Sequence, residues 1–169
     1  IPFTRSRARP AGMSLPYLTP LGPEALRRAG VPEEWRYGMA DQVRFHEIDA
    51  LGHVNNARYL SWFEAFRLPY LRDYGITDYR PDGPRLVLRS VGIEFLAEMR
   101  LGEDYILAGR AAWYRTSSFG MEYAVFAPDL RVTGTATVVL RTPDGAGKWP
   151  LTEENRRTFA ERDGAVRKD

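Results

Sequence analysis

The chain has 169 residues, 44% of them hydrophobic, and a formal net charge of +2. That is the size and composition of one folded domain, too apolar for a disordered chain and too weakly charged for charge alone to imply a nucleic-acid partner. Cysteine is absent, which excludes disulfides, thiolate metal sites and a cysteine nucleophile. No run of about 18 apolar residues exists, so no membrane-spanning helix is expected. The basic N-terminus is not followed by an apolar segment, so a secretory signal is not expected either. Met13 reads as the native start, and a cytoplasmic location is the expectation.

Residues 1–23 are rich in Pro, Arg and Gly and read as an extended arm. "PEALRRAG" then starts a short helix at Pro23, which Gly30 stops. Residues 31–37 read as a connector. "MADQVRFHEID" alternates like a strand that ends at Asp49, with Val43 and Phe45 on one face and Gln42, Arg44 and His46 on the other. His46 is placed on that sheet face, away from any chemistry. Gly52 permits a tight turn.

From Asn55 the spacing becomes helical. Tyr59, Phe63, Phe66 and Tyr70 follow one face, and Leu60, Trp62 and Ala65 widen the apolar surface, so the helix is expected to be buried on several sides. Pro69 predicts a kink or a second short segment, ended by Gly75. After a loop at 77–84 come four strands, at 85–99, 104–115, 119–127 and 131–142. Their short links favour an antiparallel meander. Gly109, Gly120 and Gly134 mark bending or close approach. A terminal helix, 152–162, is capped by Thr152 and followed by a frayed tail. The domain reading is therefore an arm with a short helix (1–36), a main domain (37–150), and a C-terminal helix and tail (151–169). The fold class is α+β: one long central helix wrapped by a curved five-stranded antiparallel sheet.

The chemistry concentrates in "FHEIDALGHVNNARYLSWFEAFR". Asp49 is a candidate general base or nucleophile. Gly52 lets backbone approach a ligand. One of Asn55 and Asn56 caps the helix, and the other is a candidate for substrate contact. The opening N–H groups of the helix lack intrahelical partners, and the dipole there favours negative charge. A carboxylate beside such amides suits attack on a carbonyl, with the oxyanion held by backbone N–H groups. His53 either orients Asp49 or substrate, or merely bonds in the wall. Tyr59 and Phe63 belong to the core stripe and line a pocket as a by-product. Glu64 is either a buried partner of Arg67 or a carboxylate facing the site.

This stretch resembles the signature of the hot-dog-fold acyl-CoA thioesterases, the 4-hydroxybenzoyl-CoA thioesterase-like group, and is similar to the related acyl-acyl carrier protein thioesterases. The matching positions are Asp49, Gly52, His53, Val54, Asn55, Asn56, Tyr59 and Glu64. The resemblance implies a helix inside a five-stranded sheet. It also implies a homodimer or dimer of dimers paired by sheet edges, with active sites at the seam. The substrate would be an acyl-CoA or an acyl-acyl carrier protein. Asp49 would be the catalytic carboxylate, His53, Asn55 and Asn56 would place carbonyl or water, and Gly52, Val54, Tyr59, Phe63 and Glu64 would line the substrate site. It implies no metal and no redox cofactor; a nucleic-acid partner is not expected because no aromatic and basic residues interleave on a strand, nor a membrane partner because no long apolar run exists. Pro69 and the long arm depart from the family pattern. The alternative is a non-catalytic acyl-CoA-binding or assembly subunit of the same fold.

Overall fold

The computed structural model describes residues 14–168. The expected start at Met13 and the first part of the arm lie outside the described residues.

The elements run β1 (Pro20–Leu21), α1 (Pro23–Arg28), β2 (Gly38–Gln42), α2 (Asn56–Asp73), β3 (Arg85–Phe95), β4 (Asp104–Tyr114), β5 (Ser118–Phe126), β6 (Leu130–Arg141), α3 (Glu153–Asp163) and β7 (Val166–Arg167). The sheet order is β1-β2-β4-β5-β6-β3, antiparallel throughout, with β7 added in parallel to the end of β4. Helix α2 packs on one face of this sheet, the α+β hot-dog arrangement expected from the resemblance. β4, β5 and β6 form the expected meander. β3 departs from it: instead of pairing with β4 it crosses to the far edge and pairs with β6. β4 has no room for it, because its other edge already holds β2.

Helix α2 buries Tyr59, Trp62, Phe63, Phe66, Tyr70 and Leu71. The glycines opposite make that possible. A β-carbon on Gly109 would lie 2.4 Å from the Phe66 ring, and one on Gly134 would lie 2.4 Å from the Phe63 ring. Bare backbone thus lets the aromatic face settle directly onto β4 and β6. Phe119, Met121, Tyr123 and Val125 of β5 and Val132, Ala136, Val138 and Leu140 of β6 complete this core, as their alternation predicts.

Pro69 does not break the helix. α2 is a single run through Asp73, because the lost N–H would have bonded the carbonyl of Ala65, which lies on the exposed face where water can serve it. Packing of the aromatic stripe then carries the helix on. Gly75 ends it in a left-handed conformation (φ 68°), with Gly75 N–H donating to the Arg72 carbonyl at 3.0 Å and Ile76 N–H to the Leu71 carbonyl at 2.9 Å.

The opposite face of the sheet is covered by the N-terminal segment. Leu21, Leu26, Val31 and Trp35 pack there with Ile106, Ala108, Ala124 and Phe126. Arg27 donates to the carbonyls of Val31 and Trp35, which ties the connector to α1. At the other end, Thr152 and Asn155 exchange side-chain to backbone bonds at 3.1 Å, so the cap falls where the sequence places it. The tail is not frayed over its described part: after Gly164, Val166 and Arg167 join β4.

Asp163 fills a gap in the pairing of β4. Between β2 and β7 the Ala111 N–H has no strand opposite, and the Asp163 carboxylate accepts from it at 2.8 Å. The same buried carboxylate accepts from the hydroxyls of Tyr74, at 2.6 Å, and Tyr70.

Candidate active site

The strand read through Asp49 stops earlier, at Gln42, and a short 3-10 turn follows at Phe45–Glu47. The reason is local. The Glu47 carboxylate folds back to accept from the Arg44 N–H at 2.7 Å and from the Trp62 indole N–H at 2.7 Å, which curls the chain. Phe45, expected on the same sheet face as Val43, is 81% exposed while Val43 is buried, and His46 sits in the turn instead of on the sheet.

Residues 48–54 then form a small hairpin. Ile48 bridges Val54, the Asp49 N–H donates to the His53 carbonyl at 2.9 Å, and Gly52 makes the reversal at φ 81°. A side chain at 52 would meet open space, so glycine serves the turn by its backbone freedom. The hairpin is stitched to the body by Val54 N–H to the Met99 carbonyl and Asn55 N–H to the Glu47 carbonyl, both 2.8 Å.

Asp49 is half-buried in this hairpin. Its Oδ1 accepts from the Leu51 N–H at 2.8 Å and from the His53 N–H at 3.4 Å, and no bond falls on Oδ2 among the described residues. The carboxylate is therefore held by one oxygen.

Asn55 is the helix cap: its side chain accepts from the Ala57 N–H at 2.9 Å. Asn56 is the first helical residue and is exposed. These contacts narrow the expected set of free amides. Asn55 N–H is spent on Glu47, Ala57 N–H on the Asn55 side chain and Arg58 N–H on the Asn55 carbonyl. Only the Asn56 N–H opens the helix without an acceptor among the described residues.

The His53 ring does not reach for Asp49. Its Nε2 lies 2.7 Å from Oε2 of Glu98, just past the end of β3. Arg100 donates to the other oxygen of Glu98, and the Arg131 guanidinium donates to the Glu98 carbonyl at 2.7 Å. The Arg100 hydrogen bond holds the Glu98 carboxyl below its ordinary range, with the charges of Arg100, His53 and Arg131 adding to it. Neither Glu98 nor Glu47 stands out in the sequence. Glu98 lies in another element, and Glu47 is hidden inside an apparent strand.

The other expected site residues divide cleanly. Val54, Tyr59 and Phe63 are buried; Phe63 stacks on Tyr123 with ring centroids 4.4 Å apart, and Tyr59 packs edge-on to Phe95 at 5.4 Å. Burial pushes the Tyr59 hydroxyl up to about 12. Glu64 is exposed and makes no ion pair with Arg67, whose guanidinium donates to the Tyr123 hydroxyl at 3.1 Å. The buried Glu64–Arg67 pair considered from the sequence does not form.

Glu64 and Arg67 instead border a groove of about 530 Å³ between the second half of α2, the start of β3 and the 77–84 loop. The groove follows from how helix and edge strand run. Phe95 lies beside Tyr59, whereas Leu86 shares the groove with Leu68 and Leu71, so β3 runs antiparallel to α2. Leu88, Val91 and Phe95 pair with Val138, Ala136 and Val132, the inward residues of β6, yet are each at least 40% exposed. The edge strand extends past the cover that α2 provides.

The matches to known proteins follow this geometry. A family model described as the thioesterase-like superfamily matches residues 43–154, well over half of the chain. The chain belongs to the thioesterase-like superfamily. A thioesterase superfamily crystal structure from Jannaschia sp. CCS1 is 47% identical to this thioesterase-like chain, covering 90% of it and 98% of its own length, with a TM-score of 0.87. A Thermus thermophilus thioesterase solved with coenzyme A and Zn is 29% identical, covering 75% and 93%, with a TM-score of 0.65. In Arabidopsis thaliana, a chloroplast acyl-acyl carrier protein thioesterase is 25% identical over 87 residues, 50% of this chain and 46% of that protein. The chain thus spans about half the length of that curated relative. Among the described residues no helix is long and apolar enough to cross a membrane.

Proposed function

We propose that this chain hydrolyses an acyl thioester of coenzyme A, or of an acyl carrier protein, to free acid and thiol. The observation that supports the reading is the short hairpin that joins Asp49 to the start of α2. A half-buried carboxylate held through one oxygen stands in the hairpin that leads directly into the unaccepted Asn56 N–H. Asp49 Oδ2 either removes a proton from water as it attacks the thioester carbonyl, or attacks that carbonyl itself. In the second case a mixed anhydride forms and a second step hydrolyses it. Either route consumes one water, breaks the carbon–sulfur bond and delivers a proton to the departing thiolate. The Asn56 N–H and the positive end of the helix dipole stabilise the oxyanion. Asn55 fixes the helix entry, His53 and Asn56 border the carbonyl, and Gly52 sets the turn.

The site is completed by a second copy. Because α2 and β3 run antiparallel, a two-fold axis through the middle of β3 brings the helix start of one subunit level with the groove of the other. The half-covered apolar residues of β3 are suited to such a seam. Tyr59 and Phe63 then support the site from within the core, and Glu64 faces the seam. The coenzyme A bound to the Thermus relative and the acyl carrier protein named for the Arabidopsis one support the two carrier classes.

A non-catalytic acyl-CoA-binding subunit is the second reading. It is favoured by the His53 ring being committed to Glu98 and not to Asp49. A panel of acyl-CoAs assayed for thiol release separates the two, with Asp49→Asn as control. Loss of general-base assistance is expected to cost about 10²–10⁴-fold in kcat. Full activity in Asp49→Asn would remove Asp49 from the chemistry, and no release from any substrate would leave the binding role.

A further inference from the structure

We propose that the groove beside Arg67 receives the far end of the acyl group and selects acyl chains that end in a carboxylate; this rests on the thioesterase reading above. The groove floor is apolar, built from Leu68, Leu71, Leu86, Leu88 and Val138. Methylene groups suit it. At its border stands a charge without a counter-charge among the described residues. Arg67 is half-buried and has five donors, and it donates to the neutral hydroxyl of Tyr123 at 3.1 Å. That hydroxyl donates its own hydrogen bond to the Met121 sulfur, at 3.3 Å, so the phenol offers Arg67 a lone pair and no negative charge.

Arg80 and Arg85 also line the groove. Arg80 is paired with Asp78 at 2.9 Å on the surface. Glu64 is the one acidic residue of the lining, and it is exposed. The groove therefore carries net positive charge over an apolar floor, which fits the two ends of a dicarboxylic half-thioester better than a plain alkyl chain. A planar guanidinium binds a carboxylate through two parallel bonds.

The wall is held in place at a conformational cost. Tyr79 sits at φ 61°, where a residue with a β-carbon is strained. Its hydroxyl donates to the Leu68 carbonyl at 3.0 Å, and the Arg72 guanidinium lies 5.5 Å above its ring. These bonds clamp the 77–84 loop onto α2 and keep the groove open beside Arg67.

The test compares CoA thioesters of matched length, succinyl to suberyl against butanoyl to octanoyl, on wild type, Arg67→Gln and Arg67→Lys. Wild type is expected to favour one dicarboxylic member by about tenfold or more in kcat/KM, the size of a charge-assisted hydrogen bond. Arg67→Gln should bring that ratio to about one, and Arg67→Lys, which keeps the charge, should hold part of it. A wild type that prefers the alkyl series, or a preference that survives Arg67→Gln, overturns the proposal while leaving hydrolysis intact. A second arm needs no turnover: free suberate is titrated into wild type and Arg67→Lys, with the methyl resonances of Leu68, Leu86 and Leu88 followed by NMR. Shifts in wild type that weaken in Arg67→Lys support the subsite even if no thioester is cleaved. Absent shifts overturn it, as does displacement of suberate by free coenzyme A, which would assign the guanidiniums to its phosphates.

Discussion

The ring of Phe66 occupies the space that a β-carbon on Gly109 would need, since such an atom would lie 2.4 Å from the ring's Cε1. Phe63 stands in the same relation to Gly134. Helix α2 therefore rests on two stretches of bare backbone, and the depth of the whole core depends on them. Gly109→Ala and Gly134→Ala must each push an aromatic ring out of a fully packed site. Each is expected to cost at least the ~1–3 kcal/mol typical of overpacking, and to lower the thermal midpoint by several degrees. Alanine at Gly52, where there is open space but φ is 81°, should cost less than at Gly109. Equal losses at the three positions would contradict the packing argument.

Asp163 gives the fold a pH dependence whose sign can be worked out. Burial pushes its carboxyl above the ordinary range, and the hydrogen bonds from Tyr70, Tyr74 and the Ala111 N–H oppose this without cancelling it. The folded state thus holds a proton there that the unfolded chain releases at pH ~3.9. Stability from this group is full below the unfolded value and falls as pH rises through the folded one. Asp163→Asn cannot titrate, so its deficit relative to wild type should be largest in acid and shrink toward neutral pH. Urea unfolding at stepped pH reads this directly. Asp163→Ala leaves the buried hydroxyls of Tyr70 and Tyr74 without their acceptor, the Ala111 N–H keeping the Tyr70 oxygen at 3.0 Å, and should cost about 2 kcal/mol or more at any pH. A deficit for Asp163→Asn that grows with pH would reverse the assignment.

What the sequence reveals and what it hides divide along locality. Helix α2, the alternation of β5 and β6, the Gly30 and Gly75 stops and the Thr152 cap all rest on spacings within a few residues, and each lies where the residues place it. The crossing of β3 to the β6 edge depends on β4 already being occupied by β2, which no local pattern records. The turn at Phe45–Glu47 reads as a strand because alternation cannot see that Glu47 reaches back to the Arg44 N–H. The dense motif announces Asp49, His53 and the asparagines, but not that His53 turns to Glu98. That partner belongs to a different element and is brought near only by the fold. Continuity of α2 through Pro69 is hidden for a similar reason, because only tertiary placement decides which carbonyl loses its bond.

Glu98 orients the His53 ring, so its removal should act on the site through His53. Glu98→Gln retains a hydrogen-bonding side chain but not the charge. It is expected to reduce kcat modestly, about tenfold, with little change in KM, and to leave the thermal midpoint unchanged, as for an exposed surface position. His53→Ala should then mask it: in the double variant, Glu98→Gln should add no further loss. If the two losses multiply instead, the Glu98–His53 contact at 2.7 Å carries no role in the reaction.

The edge strand supplies the last test. Leu88, Val91 and Phe95 are half-exposed on the inward face of β3, and Val91 lies at its middle, opposite Ala136. The two-fold pairing proposed above would bury apolar surface there and bring Asp49 of one subunit to the groove of the other. Val91→Glu places a charge at the seam with no partner, and desolvating it costs more than any single contact returns. On the proposed pairing, wild type should sediment as a dimer and the variant, at the same concentration, as a monomer. It should lose most of its thioester hydrolysis although Asp49, His53 and Asn56 are untouched. Val87→Glu, on the outward face of the same strand, leaves the inward seam intact and should remain dimeric. A Val91→Glu monomer with full activity would show that each subunit carries a complete site, and would return the groove to the service of its own Asp49.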